Sequence, residues 1–362
     1  MFYYFLYPLK DFWFGYNVFK YITFRASMAA VTSFIICLLI GPLLIKLLAN
    51  FKLGQIVRKE HVEKLKDFHN SKEGTPTMGG VLIIASVVLS SLLWSDLSNG
   101  FVLLILSSMV WLGMIGFLDD YIKIKNKNSK GVAKRYKLLG QCVLALIIGA
   151  FVVKNPAIGS ELNFPFFKNV IINIGYFYIP FVLIVIVGSS NAVNLTDGLD
   201  GLAVGCTLFV AITYAIMAYV TGNIVLSEYL QVFYLPGSGE ITCVCAALIG
   251  ASLGFLWFNC HPATVFMGDT GSLSLGGTMA VISVLLKKEF LLLIVGGIFV
   301  IETLSVIIQV YYFKRTGKRK FLMSPIHHHF QLKGLPETKI TVRFWIVAAI
   351  FALIGIASLK VR

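Results

Sequence analysis

Three separated groups of carboxylates stand out in a chain that carries few charges elsewhere. Of the 17 acidic residues, Asp119 and Asp120 follow directly on an apolar run. Asp197 and Asp200 lie in Asn191-Ala-Val-Asn-Leu-Thr-Asp-Gly-Leu-Asp-Gly201, and Asp269 in Asn259-Cys-His-Pro-Ala-Thr-Val-Phe-Met-Gly-Asp-Thr-Gly-Ser272. Adjacent carboxylates repel unless a cation or a proton sits between them, and oxygen-only donors suit a hard divalent ion such as Mg²⁺. Asn191, Asn194, Asp197 and Asp200 recur every third residue. On a helix that spacing keeps them on one slowly turning face, offering amides and carboxylates to a base, a ribose or a metal. Asn259 adds an amide, Phe266 a ring that can stack on a planar base, and Gly268 and Gly271 leave room around Asp269. One Asp at a helix end reads equally well as a cap. Five in three Gly-rich or paired settings are hard to read as caps alone.

Two further segments suit phosphate. Ser324-Pro-Ile-His-His-His-Phe330 sets His327, His328 and His329 in a basic stretch. Adjacent side chains diverge, and no Cys or HExxH partner is present, so zinc is disfavoured. Imidazoles beside phosphates instead donate hydrogen bonds or exchange protons near neutral pH. Lys72-Glu-Gly-Thr-Pro-Thr-Met-Gly-Gly80 offers Lys72, Thr75 and Thr77 at a shaped turn, without the spacing of a Walker loop.

The elements that must carry these groups are membrane spans. Hydrophobic residues make up 57% of the 362 and charged residues 13%, against about a quarter charged in soluble domains. The apolar runs approach the 20 residues that cross a bilayer. Ten spans are expected, near 22–46, 78–95, 100–118, 136–153, 170–188, 199–220, 241–258, 263–286, 290–311 and 340–359. The fold class is thus an all-α polytopic bundle, one integral membrane domain over residues 1–362. The loops after the first, third and ninth spans hold 21 of the 31 Lys and Arg residues. The positive-inside rule makes their side the cytoplasm and puts both termini outside. The net charge of +14 is then a matter of topology and anionic headgroups, not of nucleic acid. The six cysteines form no CxxC pair and read as small buried hydrophobes. All five Asp residues fall at cytoplasmic span ends, where a carboxylate beside hydrocarbon is a functional candidate. Glu302 is the one acid expected near the midplane, as a polar contact between helices.

Taken in order, Gly-Thr-Pro-Thr-Met-Gly-Gly, Phe-Leu-Asp-Asp, Asn-Leu-Thr-Asp-Gly-Leu-Asp-Gly, Phe-Met-Gly-Asp-Thr-Gly-Ser and Pro-Ile-His-His-His-Phe resemble the phospho-N-acetylmuramoyl-pentapeptide-transferase family. The Asp motifs are shared with the wider superfamily of polyprenyl-phosphate sugar-1-phosphate transferases. Gln331 and Leu335 depart from the pattern, which has Glu and Trp there. The resemblance implies a Mg²⁺-dependent homodimer of the bacterial inner membrane that converts UDP-MurNAc-pentapeptide and undecaprenyl phosphate into lipid I and UMP. By motif, it makes Asp269 the first choice of metal ligand. Asp119 and Asp120 would hold the metal or the lipid phosphate. Lys72, Thr75, Asn191, Asn194, Asp197, Asp200, Asn259 and Phe266 fall on the nucleoside and diphosphate side, and His327, His328 and His329 near the sugar phosphate. Direct attack by the lipid phosphate is expected, since its oxygen is already a competent nucleophile; an aspartyl phospho-enzyme is the alternative. A sister GlcNAc-1-phosphate transferase and an ion-coupled transporter are the rival functions. The His motif argues against the first, and the shallow depth of the acids against the second.

Overall fold

The computed structural model describes residues 1–50, 74–126 and 131–360. Its apolar runs fold into helices, because backbone groups in hydrocarbon must be satisfied within the segment. A short helix α1 (Phe2–Leu6) precedes α2 (Ile22–Asn50), followed by α3 (Gly80–Trp94), α4 (Gly100–Lys125) and α5 (Lys134–Lys154). A hairpin of β1 (Glu161–Phe164) and β2 (Phe167–Asn173) leads to α6 (Tyr178–Thr196), α7 (Leu202–Thr221) and the short α8 (Ile224–Leu230). Then come α9 (Ile241–Asn259), α10 (Gly268–Leu285), α11 (Glu289–Val295), α12 (Gly297–Thr316), α13 (Ile326–Leu332) and α14 (Glu337–Ala357).

Among the described residues, eight helical segments are long and apolar enough to cross a membrane, so the chain is a polytopic membrane protein. Two of the ten expected runs fall short of that standard. The α3 helix has 15 residues, about 22 Å at 1.5 Å per residue. The α10 helix has 18 and opens with the polar Gly-Asp-Thr-Gly-Ser. Two other expectations need correction. Residues 170–173, expected to open the fifth span, belong instead to β2, antiparallel to β1 with Leu162 opposite Ile172. Phe166 turns the hairpin with a φ of 69°, and the β-branched Val170-Ile171-Ile172 fits a strand as readily as a helix. Among the described residues the fold is therefore helical with one small hairpin. The ninth run divides at Gly296 into α11 and α12.

The α10 helix forms the centre, buried from Thr270 to Leu285. It packs against α4 and α6, and polar side chains cross-link the three: Ser274 Oγ donates to Met109 O at 2.7 Å and Ser190 Oγ to Leu273 O at 3.0 Å. Such bonds suit helices that cannot rely on water to drive them together. At the hairpin end, Arg25 of α2 pairs with Glu240 at 2.5 Å and donates to Trp94 O.

Candidate active site

Three of the five motif acids, Asp119, Asp120 and Asp269, meet where α4 crosses the start of α10. Gly116 makes the crossing close: a Cβ there would lie 2.2 Å from Asp269 O. The crossing lets the Asp120 carboxylate cap the N-terminus of α10. It accepts the Thr270 N–H at 2.9 Å, the Thr270 hydroxyl at 2.8 Å and the Asp269 N–H at 3.2 Å. A carboxylate is favoured there because the first amides of a helix lack partners and carry partial positive charge. Gly268 turns the chain into α10 with a φ of +72°, and a Cβ would sit 2.6 Å from Asp120 Oδ2. Asp119 Oδ1 accepts the Val132 N–H at 2.9 Å. One carboxylate oxygen each from Asp119, Asp120 and Asp269 lies within 4.8 Å of the others, a spacing that could hold a metal ion.

Two lysines balance this cluster. Lys123 Nζ is 2.5 Å from Asp119 Oδ2, 2.9 Å from Asp269 Oδ2 and 3.7 Å from Asp120 Oδ1. Lys137 Nζ, from α5, is 2.5 Å from Asp269 Oδ2 and 3.4 Å from Asp119 Oδ2. Three carboxylates face two ammonium groups, which leaves room for further positive charge. In the sequence both lysines are part of the basic stretch after the third span, with nothing to single them out as site residues. Lys123 stands four residues after Asp119 and three after Asp120, a spacing that brings helical side chains together. The approach of Lys137 depends on how α5 packs, which no local spacing reports.

The Asn/Asp strip is not one helix face. The α6 helix ends at Thr196, and Asp197 and Asp200 lie in the turn before α7. Asn194 Oδ1 accepts the Ser272 hydroxyl at 3.1 Å, which ties it to the second turn of α10. Asn191 Nδ2 donates to Gln141 Oε1 at 2.9 Å, one helical turn beyond Lys137. Asp200 is buried and lies outside the three-acid cluster. Its Oδ2 faces His261 Nδ1 at 3.0 Å and accepts the Ala263 N–H at 3.1 Å. Asn259 is buried, with Oδ1 on the Gly201 N–H at 3.1 Å and Nδ2 on Val265 O at 2.8 Å.

Phe266 is half-buried, and its backbone pairs with Pro76 O and the Gly79 N–H. The visible part of the Thr75 motif therefore runs beside the Asp269 loop. Lys72 lies outside the described residues.

The three histidines diverge, as adjacent residues must. His327 is fully buried, its Nδ1 3.1 Å from Glu302 Oε1 and its Nε2 against Gly198, where a Cβ would come within 2.3 Å. Its imidazole backs the Asp197–Gly201 turn instead of opening to solvent. Glu302 also accepts the Ile326 N–H at 2.9 Å. It is thus a buried contact from α12 to α13. His328 Nδ1 is 2.8 Å from Gln331 Oε1. His329 Nδ1 accepts the Leu322 N–H at 3.1 Å. Partial burial, then the nearby Lys333 ammonium, hold its imidazole below the usual range.

Carboxylates, ammonium groups and helix-terminal amides collected at one end of the bundle suit charge neutralisation in phosphoryl transfer, which needs positioning more than covalent help. Comparison with known proteins agrees. Residues 102–287 match the family described as Glycosyl transferase family 4. Residues 72–84 match the phospho-N-acetylmuramoyl-pentapeptide-transferase signature 1. Proteins named phospho-N-acetylmuramoyl-pentapeptide-transferase from Oleidesulfovibrio alaskensis, Endomicrobium trichonymphae and Desulfotalea psychrophila are 51%, 50% and 52% identical, each over 100% of both chains. The chain belongs to the phospho-N-acetylmuramoyl-pentapeptide-transferase family.

Proposed function

We propose that this protein transfers phospho-MurNAc-pentapeptide from UDP-MurNAc-pentapeptide to undecaprenyl phosphate, giving lipid I and UMP at the cytoplasmic face of the bacterial inner membrane. The observation that carries this reading is the meeting of Asp119, Asp120 and Asp269 with Lys123 and Lys137 at one crossing of helices. The protein is a single domain of ten spans with both termini outside, and it works as a homodimer. The basic loops concentrate anionic substrates at the site.

The carboxylate set fits Mg²⁺: three oxygen donors stand within 4.8 Å of one another and carry more negative charge than the two lysines offset. Asp269 and Asp119 would hold the ion, with Asp120 as third donor while it anchors α10. Bound there, Mg²⁺ would neutralise the diphosphate and stabilise departing UMP. The chain's own groups supply the rest. Lys123 and Lys137 hold phosphate oxygens, each ammonium a point charge with three donors. The nucleoside and diphosphate lie along Lys72, Thr75, Asn191, Asn194, Asp197, Asp200, Asn259 and Phe266. Asn259 and Asp200 do so partly by shaping the loops that carry their neighbours. His328 and His329 face the sugar phosphate, and His327 supports the Asp197–Gly201 turn from behind. The lipid phosphate attacks directly, since no covalent step is needed to make its oxygen nucleophilic.

Purified protein in nanodiscs, given undecaprenyl phosphate, should release UMP from UDP-MurNAc-pentapeptide and not from UDP-GlcNAc. Chelation of divalent ions should stop the reaction. D269N should lose about 10²-fold or more in turnover, the scale of one lost charge-stabilising group. Equal UMP release from UDP-GlcNAc would move the protein to the sister activity, and wild-type turnover in D269N would refute the metal assignment.

A further inference from the structure

The break between α6 and α7 leaves backbone groups without helical partners, and buried groups of that kind must be met elsewhere. At Asp200 and Gly201, side chains of two other helices reach all four groups, adding to the helical bond that Gly201 O already accepts from the Gly205 N–H at 3.0 Å. Glu337 Oε1 accepts the Asp200 N–H at 2.7 Å, and Thr341 Oγ1 donates to Asp200 O at 3.3 Å. Trp345 Nε1 donates to Gly201 O at 3.1 Å, and Asn259 Oδ1 accepts the Gly201 N–H at 3.1 Å. Glu337, Thr341 and Trp345 stand four residues apart, on one stripe of α14. Glycine makes the approach possible. A Cβ on Gly205 would lie 2.1 Å from Trp345 Nε1, and Gly201 itself has a φ of +71°. Glu337 and Thr341 are buried. The stripe therefore grips a turn that has no regular structure of its own, and it does so from a helix far away in sequence.

We propose that Glu337, Thr341 and Trp345 are positioning residues that fix the Asp200–Gly201 peptide, and through it the turn that carries Asp197 to the nucleotide. This rests on the reading above that the turn serves the nucleotide substrate. None of the three touches a reacting atom; they act through the backbone they hold. Loosening the turn should weaken capture of the uridine nucleotide and leave the lipid phosphate, held at the acid cluster, unaffected.

The test is two-substrate kinetics on the full-length protein in nanodiscs, with E337A, E337Q, W345F and D197A. E337A and W345F should raise KM for UDP-MurNAc-pentapeptide about tenfold, the scale of one unmade hydrogen bond. KM for undecaprenyl phosphate should stay within about twofold, the margin left when a contact is untouched. E337Q keeps an acceptor oxygen in place and should recover most of the loss. Melting of each variant separates folding from positioning. The proposal is overturned if E337A and W345F leave the nucleotide KM unchanged. It is also overturned if both KM values and the melting midpoint move together, or if E337Q is as damaged as E337A. D197A separates the proposal from its premise. If the grip fails while D197A raises the nucleotide KM, only the grip is lost; if D197A is silent as well, the nucleotide does not dock at this turn.

Discussion

Replacing Gly116 with alanine tests whether the α4–α10 crossing sets the chemistry. Gly116 carries no reacting group, but a Cβ there would stand 2.2 Å from Asp269 O, 2.5 Å from Asp269 C and 2.6 Å from Thr270 Cα. An ordinary carbon–oxygen contact is about 3.3 Å, so the helices would have to part by about 1 Å. The obstacle is backbone and cannot rotate away. Overpacking of this kind costs about 1–3 kcal/mol, which a bundle of this size can absorb. The catalytic cost is larger in proportion, because parting α4 from α10 moves Asp119 and Asp120 away from Asp269. A misplacement of about 1 Å costs about 10²-fold in rate. The assay is UMP release at saturating concentrations of both substrates, with thermal melting to show that the variant folds. The control lies one turn back on the same helix. A Cβ on Gly113 would meet Ile84 Cδ1 at 2.4 Å, the far end of a flexible side chain, with ordinary spacing to everything else. G113A should keep turnover within a few-fold, where side-chain relaxation offsets most of the strain. If G116A turns over like the wild type, or G113A is as damaged as G116A, then the crossing does not set the geometry.

Three further outcomes follow from the same contacts. K137M removes one of the two cations on Asp269 Oδ2; it should lower turnover while raising the affinity for Mg²⁺, read as a larger Mg²⁺-induced rise in melting temperature, and a smaller rise would count against the lysine as the ion's competitor. R25L leaves Glu240 buried without its bidentate partner, so it should destabilise the protein by about 3–5 kcal/mol, with R25M/E240L recovering much of the loss; equal melting of single and double variants would refute that pairing. His329 titrates below the ordinary imidazole range because of burial and Lys333. Between its folded pKa and about 6.5 the unfolded chain binds the extra proton. The stability from this group is therefore complete above that window and is lost as pH falls through it, and H329Q should flatten that part of a melting-versus-pH profile.

The family and the chemistry were legible in the sequence because they reside in local strings. Asp119-Asp120, the Asn-Leu-Thr-Asp-Gly-Leu-Asp-Gly run and Gly-Asp-Thr-Gly-Ser carry their residue types in fixed order, and hydropathy alone marked the polytopic membrane class. Helix limits are legible where apolar runs meet charged loops, as at Lys134–Lys154, expected near 136–153. They were not legible at Val170-Ile171-Ile172, whose apolar β-branched residues suit strand and helix alike. The regular spacing from Asn191 to Asp200 suggested one face, but the chain leaves the helix at Thr196. Glycine at 198 and 201 permits both readings.

Residue types and local order thus established the membrane class, the three acid motifs and the reaction they suit. Packing alone decided which acids come within 4.8 Å of one another, that Lys137 reaches Asp269 from the next helix, and that Asp200 turns away toward His261. It also decided that His327 is buried beneath Gly198 and that α14 grips the turn beside it. These are contacts between residues far apart along the chain. Their distances are set by how closely helices approach, which depends on every side chain at the crossing and is written in no single stretch of sequence.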